Sequence, residues 1–233
     1  MEERGHQYCY KYPRPAVATD CVILGWEDRL KVLLIERGGE PFRGCWALPG
    51  GFLEMQEDAE TCARRELEEE TGIKGVEVEQ LHAFSAVRRD PRYRVISIAY
   101  YALVAFSACQ VRAGDDAAKA QWFPVEAVPE LAFDHKEVLQ LALERLKQKS
   151  LYYPIGLGVL PERFTLSELR RFYEAIRQKT LDAREFGQKI LQTGIIEPVQ
   201  DNQTDPVLFK AGFYRFKPEE YQKSSQAGLG FLL

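Results

Sequence analysis

Three glutamates that lie close together in the sequence, Glu66, Glu69 and Glu70, have the spacing that most directly suggests chemistry. On a helix, residues three or four positions apart share a face, so the three carboxylates are expected to converge. Crowded carboxylates repel one another unless cations lie among them, and ligation by oxygen alone is what Mg²⁺ or Mn²⁺ prefers. Such ions bridge pyrophosphate oxygens and activate an attacking water. The pattern predicts a divalent-metal site, although acidic runs by themselves are more often a solvated helix surface.

The segment that must position these carboxylates is residues 59–71, which contain neither Pro nor Gly. Ala59, Ala63 and Leu67 recur at intervals of four residues, which is typical of an amphipathic helix with one buried face. Gly72 is expected to end the helix, because glycine readily adopts the left-handed conformation found after a last helical turn. The glutamates would then lie on the side of the helix away from the buried face of Ala59, Ala63 and Leu67.

The residues before and within this helix follow a fixed spacing. Gly50 and Gly51 allow a sharp turn of the backbone beside the substrate, and Arg65 is expected to pair with Glu57 and hold the loop against the helix. After Gly51, five residues precede Glu57 and seven more precede the run Arg65-Glu66-Leu67-Glu68-Glu69-Glu70-Thr71-Gly72-Ile73. This spacing resembles the signature of the Nudix hydrolases at every specified position.

The resemblance implies a role for each residue. In Nudix hydrolases the glutamates that match Glu66 and Glu70 are the principal metal ligands, and the one that matches Glu69 assists as a further ligand or as a base. The carbonyl of Gly50 is implied to complete the metal shell. The resemblance also implies Mg²⁺ or Mn²⁺ as the cofactor and a nucleoside diphosphate derivative as the substrate. The catalytic residues that it implies are Glu57, Arg65, Glu66, Glu69 and Glu70.

Short apolar runs predict a domain in which strands outnumber helices. Residues 16–26 and 30–35 are predicted to pair, residues 76–87 and 94–106 to form two further strands, and residues 120–134 to run from a strand into a loop. The fold class is therefore α+β, and the resemblance implies an α/β/α Nudix sandwich with a mixed sheet.

A second helix is predicted from His135 to about Lys147, because the apolar residues after Asp134 recur with a helical period. Asp134 is expected to cap its first turn through the side chain. The residues predicted on its inner face are Val138, Leu139, Ala142 and Leu146.

The basic turn RRDPRYR at 88–94 resembles the matching segment of ADP-ribose pyrophosphatases. Arg89, Arg92 and Arg94 are expected to meet phosphate or a terminal ribose, because guanidinium groups suit phosphate geometry. A basic hairpin turn without a ligand remains an equal alternative. Phe84 and Tyr93 are candidates to stack on adenine, although isolated aromatic residues more often belong to the core.

A second domain is predicted after the Gly- and Pro-rich stretch near 149–162, which divides the chain into 1–149 and 150–233. Thr165 and Glu168 form a capping-box pattern at the start of one helix, and Asp182 precedes another. Two strand-like runs then flank a polar turn at 201–206. Helix, turn, helix and hairpin is the order of a winged helix-turn-helix domain.

Residues 151–217 resemble the winged helix of Nudix-related transcriptional regulators of NAD metabolism and sugar use. Phe186, Ile190 and Leu191 are expected to face the core. The resemblance implies operator DNA as a partner and a homodimer as the assembly. The residues predicted to contact DNA are Arg170, Arg171, Arg184, Gln188 and Lys189, with Arg177 and Lys179 as further phosphate contacts. Residues 150–233 contain 11 Lys/Arg and 10 Asp/Glu, so a purely structural appendage remains an alternative, since DNA affinity depends largely on positive charge.

Composition is that of a globular protein: 45% of the 233 residues are apolar and 28% are charged, with a net charge of −4. No apolar run approaches the roughly 18 residues of a membrane span. The first residues lack the apolar stretch of a secretion signal, so a cytoplasmic location is expected. The five cysteines are never spaced as C-x-x-C, which argues against a zinc cluster.

Two functions therefore remain open. The first is Mg²⁺-dependent hydrolysis of ADP-ribose or a similar compound to two monophosphates, which the complete signature favours. The second is a ligand-responsive repressor, which the order of the domains favours. The two are compatible, because a pocket that binds an effector can also cleave it slowly.

Overall fold

The structure is a computed structural model that describes residues 10–109, 117–199 and 212–227. In the first part of the chain three strands precede each of two α-helices, and in the second part most of the regular structure is helical. The strands are β1 (Ala16–Trp26), β2 (Leu30–Arg37), β3 (Trp46–Ala47), β4 (Glu79–Phe84), β5 (Val95–Ala105), β6 (Ala117–Pro124), β7 (Phe164–Thr165), β8 (Ile196–Pro198) and β9 (Phe213–Phe216). The helices are α1 (Ala59–Thr71), α2 (His135–Tyr152), α3 (Leu166–Arg177), α4 (Ala183–Gln192) and α5 (Pro218–Ala227).

A mixed sheet forms the centre of the first domain. Its strand order is β3-β2-β1-β5-β4, and β6 also pairs with β2. β1 and β5 are parallel along their whole length, from Ala16 opposite Val95 to Trp26 opposite Ala105. The other strand pairs of this sheet are antiparallel. The predicted strand pair of residues 16–26 and 30–35 is confirmed, and β2 continues to Arg37.

Helices pack on both faces of this sheet. Successive side chains of β1 point to opposite faces, so both faces carry apolar side chains that a helix can cover. Val22 and Leu24 belong to the core on the α2 side. Cys21 and Ile23 belong to the core on the other side, which α1 closes with Ala63 and Leu67. The predicted α/β/α sandwich is confirmed, and α1 has the buried face that its sequence indicates.

Helix α2 begins at His135 as predicted and continues five residues beyond Lys147, to Tyr152. Its predicted inner face is buried. The predicted cap is wrong: Asp134 makes no side-chain capping hydrogen bond. Its carboxylate instead accepts two hydrogen bonds from Arg89, and a charged partner outweighs a backbone amide.

The second domain has the predicted winged-helix order, with a small sheet of strand order β7-β9-β8. Thr165 and Glu168 form the predicted capping box, and the carboxylate of Asp182 accepts hydrogen bonds from the first amides of α4. Phe186 and Ile190 are buried, but Leu191 is 43% exposed, so its predicted place in the core is wrong. The polar turn at 201–206 lies outside the described residues.

The two domains share one continuous apolar core. Trp26 at the end of β1 packs edge-to-face on Phe172 of α3, with ring centroids 5.1 Å apart. The sequence did not predict helix α5. The hydroxyl of its Tyr221 donates to the carbonyl of Pro154 in the interdomain segment. The division at residue 149/150 stays a prediction. Within the described ranges, no helix combines the length and apolarity that crossing a membrane requires.

Candidate functional site: an acidic helix beside an arginine-lined cleft

The turn before α1 lies so close to its neighbours that glycine is required there. The amides of Thr19 and Cys21 in β1 donate to the carbonyls of Gly51 and Pro49, at 2.8 and 2.7 Å. A Cβ atom on Gly50 would lie 2.1 Å from the carbonyl oxygen of Thr19. A Cβ atom on Gly51 would lie 2.3 Å from the carboxyl group of Glu66. The two glycines thus let the backbone pass between β1 and the acidic face of α1.

Helix α1 is fixed at both ends. The carboxylate of Asp58 accepts a 2.8 Å hydrogen bond from the Thr61 amide, which satisfies an otherwise unpaired donor. Gly72 ends the helix in the left-handed conformation, with φ of 73°, as predicted. Because Ala63 and Leu67 are buried, the rotation of the helix about its axis is set as well.

The structure brings two of the three glutamates into one cleft. Glu66 and Glu70 both line it, together with Gly50 and Gly51. The amide of Gly50 donates to Oε2 of Glu70 at 2.8 Å. Glu69 does not line the cleft. Its side chain is 59% exposed and pairs with Arg65. Across residues 10–109, 117–199 and 212–227, no group of three or more His, Cys, Asp or Glu is arranged to hold a metal ion.

Arg65 donates hydrogen bonds to three glutamates at once. Its guanidinium donates to both carboxylate oxygens of Glu57, at 2.7 and 3.0 Å, as the sequence predicts. It also donates to Glu66 at 2.8 Å and to Glu69 at 3.0 Å. Hydrogen bonding to Arg65 lowers the pKa of Glu57 to about 2. Burial raises the pKa of Glu66, and Arg65 only partly opposes this. A cation beside Glu66 would therefore be favoured.

Oxygen donors for a divalent cation are present in part. Glu66 and Glu70 each offer carboxylate oxygens to the cleft. The carbonyls of Pro49 and Gly51 point toward β1. Successive residues of an extended segment point to opposite sides, so the peptide of Gly50 lies on the side away from β1. There its amide meets Glu70. This donor set fits a hard cation, with Glu69 held apart by Arg65.

The cleft has a volume of about 370 Å³ and also contains positive charge. Arg37 and Arg92 line it. Nε of Arg37 donates to the carbonyl of Pro41 at 2.9 Å. Burial lowers the pKa of Arg37, and the nearby Arg92 lowers it further, whereas Glu70 raises it. The cleft therefore places arginine guanidinium groups and the glutamates around one space, which suits a ligand whose anionic oxygens can meet both arginine and metal.

Phe133 stands between these arginines. Its ring centroid is 4.8 Å from the guanidinium of Arg37 and 5.8 Å from that of Arg92. Its backbone has φ of 55°, a left-handed conformation that costs a bulky residue about 1–3 kcal/mol. Packing on Phe42, with ring centroids 4.8 Å apart, accompanies this conformation. Such strain is most often found at ligand-binding positions.

Arg89 lies at the floor of the cleft in a buried ionic network. Its guanidinium donates to Asp134 at 2.7 and 2.9 Å and to Asp20 at 2.9 Å. The hydroxyl of Ser97 donates to the same oxygen of Asp20 at 2.5 Å. Burial by itself raises the pKa of Asp20, but the facing His135, Arg89 and Ser97 outweigh it and hold the pKa well below its usual value. Arg89 thus binds two buried carboxylates as well as lining the cleft.

His135 joins this network through a defined tautomer. Its Nδ1 accepts a 2.9 Å hydrogen bond from the amide of Leu48, so Nδ1 carries no proton. Nε2 then bears the hydrogen and faces Oδ1 of Asp20 at 3.4 Å. The first residue of α2 is therefore attached directly to the central strand β1.

Of the remaining candidates for ligand binding, only Arg92 lines this cleft. Arg92 is held by both oxygens of Asp90, at 2.7 and 3.0 Å, and still lines the cleft. Arg94 is exposed and donates to the carbonyl of Ala86. Tyr93 is 52% exposed. Phe84 packs on the core of the α2 side. Neither Arg94 nor the two aromatic residues line the cleft, and their predicted roles stay predictions.

On the winged helix, Arg184 and Gln188 project from α4 into solvent. Lys189 pairs with Glu185, at 2.9 Å. Arg170 donates to Glu174 and to the carbonyl of Leu181, so it fastens the turn between α3 and α4. The side of α4 that carries Arg184 and Gln188 is therefore the most accessible part of the predicted DNA surface.

Two other arginines of α3 meet protein atoms. Arg171 reaches the carbonyl of Asp28 in the first domain, at 3.5 Å. Arg177 is only 5% exposed and donates to Ser150, so its predicted phosphate contact is wrong. Lys179, in the turn after α3, is exposed as predicted for a phosphate contact.

Comparison with known proteins decides the family. Residues 14–142, more than half of the chain, match the NUDIX domain family, and residues 156–216 match the NrtR DNA-binding winged helix domain. The chain belongs to the NUDIX family. Its winged helix is of the NrtR type.

Two curated relatives illustrate both parts of this NUDIX protein. The ADPR responsive transcriptional repressor NtrR of Acinetobacter baylyi is 33% identical over 215 residues, which cover 90% of this chain and 85% of the relative. The ADP-ribose pyrophosphatase of Methanocaldococcus jannaschii is 43% identical over 129 residues, which cover 55% of this chain and 73% of the relative. The first similarity spans both domains, and the second covers the NUDIX domain.

Solved structures agree. Shewanella oneidensis NrtR complexed with a 27mer DNA superimposes with a TM-score of 0.71 and 31% identity, over 88% of this chain and 95% of that chain. The NUDIX domain of the same protein complexed with ADP ribose superimposes with a TM-score of 0.55 and 34% identity, over 63% of this chain and 99% of that chain.

Sequence reasoning missed several residues that line the NUDIX cleft, among them Asp20, Arg37, Phe133 and His135. Asp20 had a usable signal, because an acidic residue inside the apolar run 16–26 needs a buried partner. The other three lie at the ends of elements, where sequence patterns are least informative. Their common position appears only when β1, β2 and α2 are packed together.

Proposed function

We propose that this chain is a ligand-responsive DNA-binding regulator whose NUDIX domain binds ADP-ribose or a closely related nucleoside diphosphate compound. The observation that carries the proposal is the cleft itself: Arg37 and Arg92 share it with Glu66 and Glu70, and α2 runs from its floor to the winged helix. The relative that responds to ADPR supports the ligand class, because the similarity spans both domains. The neighbour complexed with DNA supports the second partner.

The ligand's pyrophosphate is expected to lie between the two kinds of charge in the cleft. Guanidinium groups of Arg37 and Arg92 form charge-assisted hydrogen bonds with phosphate oxygens. Glu66, Glu70 and the Gly50 carbonyl would hold Mg²⁺, which neutralises pyrophosphate oxygens when bound. The ring of Phe133 provides an apolar surface between the arginines. Arg89 contributes chiefly by holding the cleft floor.

Isothermal titration of the full-length protein with ADP-ribose, AMP and ribose 5-phosphate, in the presence of Mg²⁺, tests this ligand assignment. We expect ADP-ribose to bind at least about tenfold more tightly than either fragment, because only the intact compound presents a pyrophosphate to both sides of the cleft. Equal affinities for ADP-ribose and AMP would contradict it.

The DNA surface is assigned to the exposed side of α4. Arg184 and Gln188 are positioned to reach base edges, and Lys179 and Lys189 to contact phosphates. Arg170 and Arg171 contribute less than the sequence suggests, since both already bind protein carbonyls.

A double variant on this helix tests the DNA assignment. Arg184→Ala with Lys189→Ala should weaken binding to the protein's upstream DNA by at least about tenfold, because each removed contact is worth about 1–3 kcal/mol. Lys223→Ala, which removes one positive charge from α5, is the control and should bind like the wild type. A gel shift that the double variant leaves unchanged would falsify the DNA role.

Hydrolysis is a second candidate function, favoured by the complete signature and by the shared cleft of Glu66 and Glu70. In this reaction water adds across the pyrophosphate and yields two monophosphates. Glu70→Gln should lower Mg²⁺-dependent release of AMP from ADP-ribose by at least about a hundredfold, since it replaces a metal-binding carboxylate. Glu68→Gln on the same helix, whose carboxylate pairs with Lys74, is the control. Normal turnover by Glu70→Gln would rule out the metal assignment.

A cytoplasmic location and a homodimer complete the proposal. The similarity to a repressor supports both, because such a protein acts where the DNA is and paired winged helices read two half-sites. Sedimentation equilibrium of the full-length protein measures the assembly, and a monomer at micromolar concentration would contradict the dimer.

A further inference from the structure

Helix α2 is attached to the ligand cleft at its first turn. Asp134, directly before it, accepts two hydrogen bonds from Arg89 at the cleft floor. His135, its first residue, accepts from the amide of Leu48 and faces Asp20. Arg89, Asp20 and His135 all line the cleft. The position of the helix start therefore depends on the same ionic network that borders the ligand.

The last turn of α2 is attached to the winged helix. Ser150 is fully buried there. Arg177, the last residue of α3, donates from Nε to the hydroxyl of Ser150 at 3.2 Å and from Nη2 to its carbonyl. The Arg177 guanidinium also lies over the ring of Tyr173, 5.2 Å from its centroid. Tyr173 in turn exchanges hydrogen bonds with the backbone of Ile155, just beyond α2.

Between these two attachments the helix is a stiff element. Its 18 residues span about 27 Å at 1.5 Å per residue. One side is packed along its length in the core that joins the domains. A shift of its first turn is therefore passed on to α3 instead of being absorbed by a flexible segment.

We propose that α2 transmits ligand occupancy of the NUDIX cleft to the winged helix, and that the contact between Arg177 and Ser150 is the joint through which α3 follows it. This inference rests on the proposed function and specifies how that function is regulated. An anionic ligand in the cleft competes electrostatically with Asp134 and Asp20 for Arg89, so bound and free states differ in how the first turn of α2 is held. A ligand shifts an equilibrium only through such differential contacts.

The test measures coupling as well as affinity. DNA affinity of the full-length protein is measured by fluorescence anisotropy with and without saturating ADP-ribose, and ADP-ribose affinity is measured by calorimetry with and without DNA. The ratio of affinities in either direction is the coupling factor, and linkage requires the two ratios to agree. A residue with a merely structural role would change affinities and leave this ratio alone.

Two variants weaken the joint. Ser150→Ala removes the hydroxyl with little change of volume, and Arg177→Lys keeps the charge but cannot reach the hydroxyl and the carbonyl together. Both should reduce the coupling factor by about fivefold or more, while DNA affinity without ligand and ADP-ribose affinity without DNA each stay within about threefold of wild type. Glu144→Gln, on the exposed side of α2, should leave coupling unchanged. If Arg177→Lys does not fold, Ser150→Ala decides alone.

Three outcomes separate the inference from the proposed function. Reduced coupling with retained affinities supports the inference. Wild-type coupling in folded Ser150→Ala and Arg177→Lys overturns it and leaves the proposed function standing. A wild-type protein whose DNA affinity does not respond to ADP-ribose overturns both.

Discussion

Replacing Arg89 with methionine should destabilise the whole fold, because this arginine neutralises the buried carboxylate of Asp20 and the partly buried carboxylate of Asp134. The exposed fractions of the side chains are 4% for Arg89, 9% for Asp20 and 14% for Asp134. Removal of one partner from a buried ion pair costs about 3–5 kcal/mol, since the remaining charge stays out of water. In chains of 150–250 residues each kcal/mol lowers Tm by about 2–4 °C. We therefore expect Arg89→Met to lower Tm by about 6–20 °C.

Thermal unfolding followed by circular dichroism measures the change in Tm, and urea unfolding measures the loss of unfolding free energy. Arg94→Met is the matched control, because Arg94 is solvent-exposed and its guanidinium donates to the carbonyl of Ala86. It should stay within about 0.5 kcal/mol of wild type. If Arg89→Met is as stable as this control, Arg89 is not the anchor of the cleft floor, and the account of the ionic network is refuted.

Two further predictions follow from the same cleft. Because the pKa of Asp20 is lower in the folded protein than its ordinary 3.8, its stabilisation is complete above that value and is lost as the pH falls toward the folded-state pKa. The difference in unfolding free energy between wild type and Asp20→Asn should thus be constant from pH 6 to 8 and shrink in acid; a difference that grows in acid contradicts it. Arg37→Met should weaken ADP-ribose binding about 10- to 100-fold in calorimetry, as hydrogen bonds to charged groups are worth about 1.5–3 kcal/mol. Exposed Arg43→Met is the control, and equal losses in both would contradict a specific role for Arg37.

Short-range patterns explain why so much of α1 was predictable. Its buried residues Ala63 and Leu67 lie four positions apart, and Gly72 directly follows its last residue. Glu57 and Arg65 are only eight residues apart, so their pairing also follows from local geometry. Such features depend little on the rest of the fold.

Arg89 was interpreted as a phosphate ligand because the sequence shows its charge and not its distant partners. Asp20 and Asp134 are 69 and 45 residues away. The same distance left Asp134 wrongly predicted as a helix cap. Arg37 ends an apolar strand and meets Phe133 only when the chain is folded. Ionic networks of this kind depend on tertiary packing, which no local pattern reports.

The two errors in the winged helix had a local signal. Arg177 is four residues after Tyr173, so both lie on one helix face, and Tyr173 is fully buried. Leu191 is five residues after Phe186, which at 3.6 residues per turn places it about 140° around the helix from that buried side chain. By residue type alone an arginine is expected to be exposed and a leucine to be buried, and both expectations are wrong here. The helix period by itself predicts the observed burial.

The most direct test of the central claim is the DNA affinity of the wild-type protein as a function of ADP-ribose concentration, at fixed salt and Mg²⁺. We expect affinity for the protein's upstream DNA to change by at least about fivefold, with half of the change at the ADP-ribose concentration that half-saturates the NUDIX domain in calorimetry. An affinity for DNA that stays constant while the NUDIX domain fills with ADP-ribose would contradict the account.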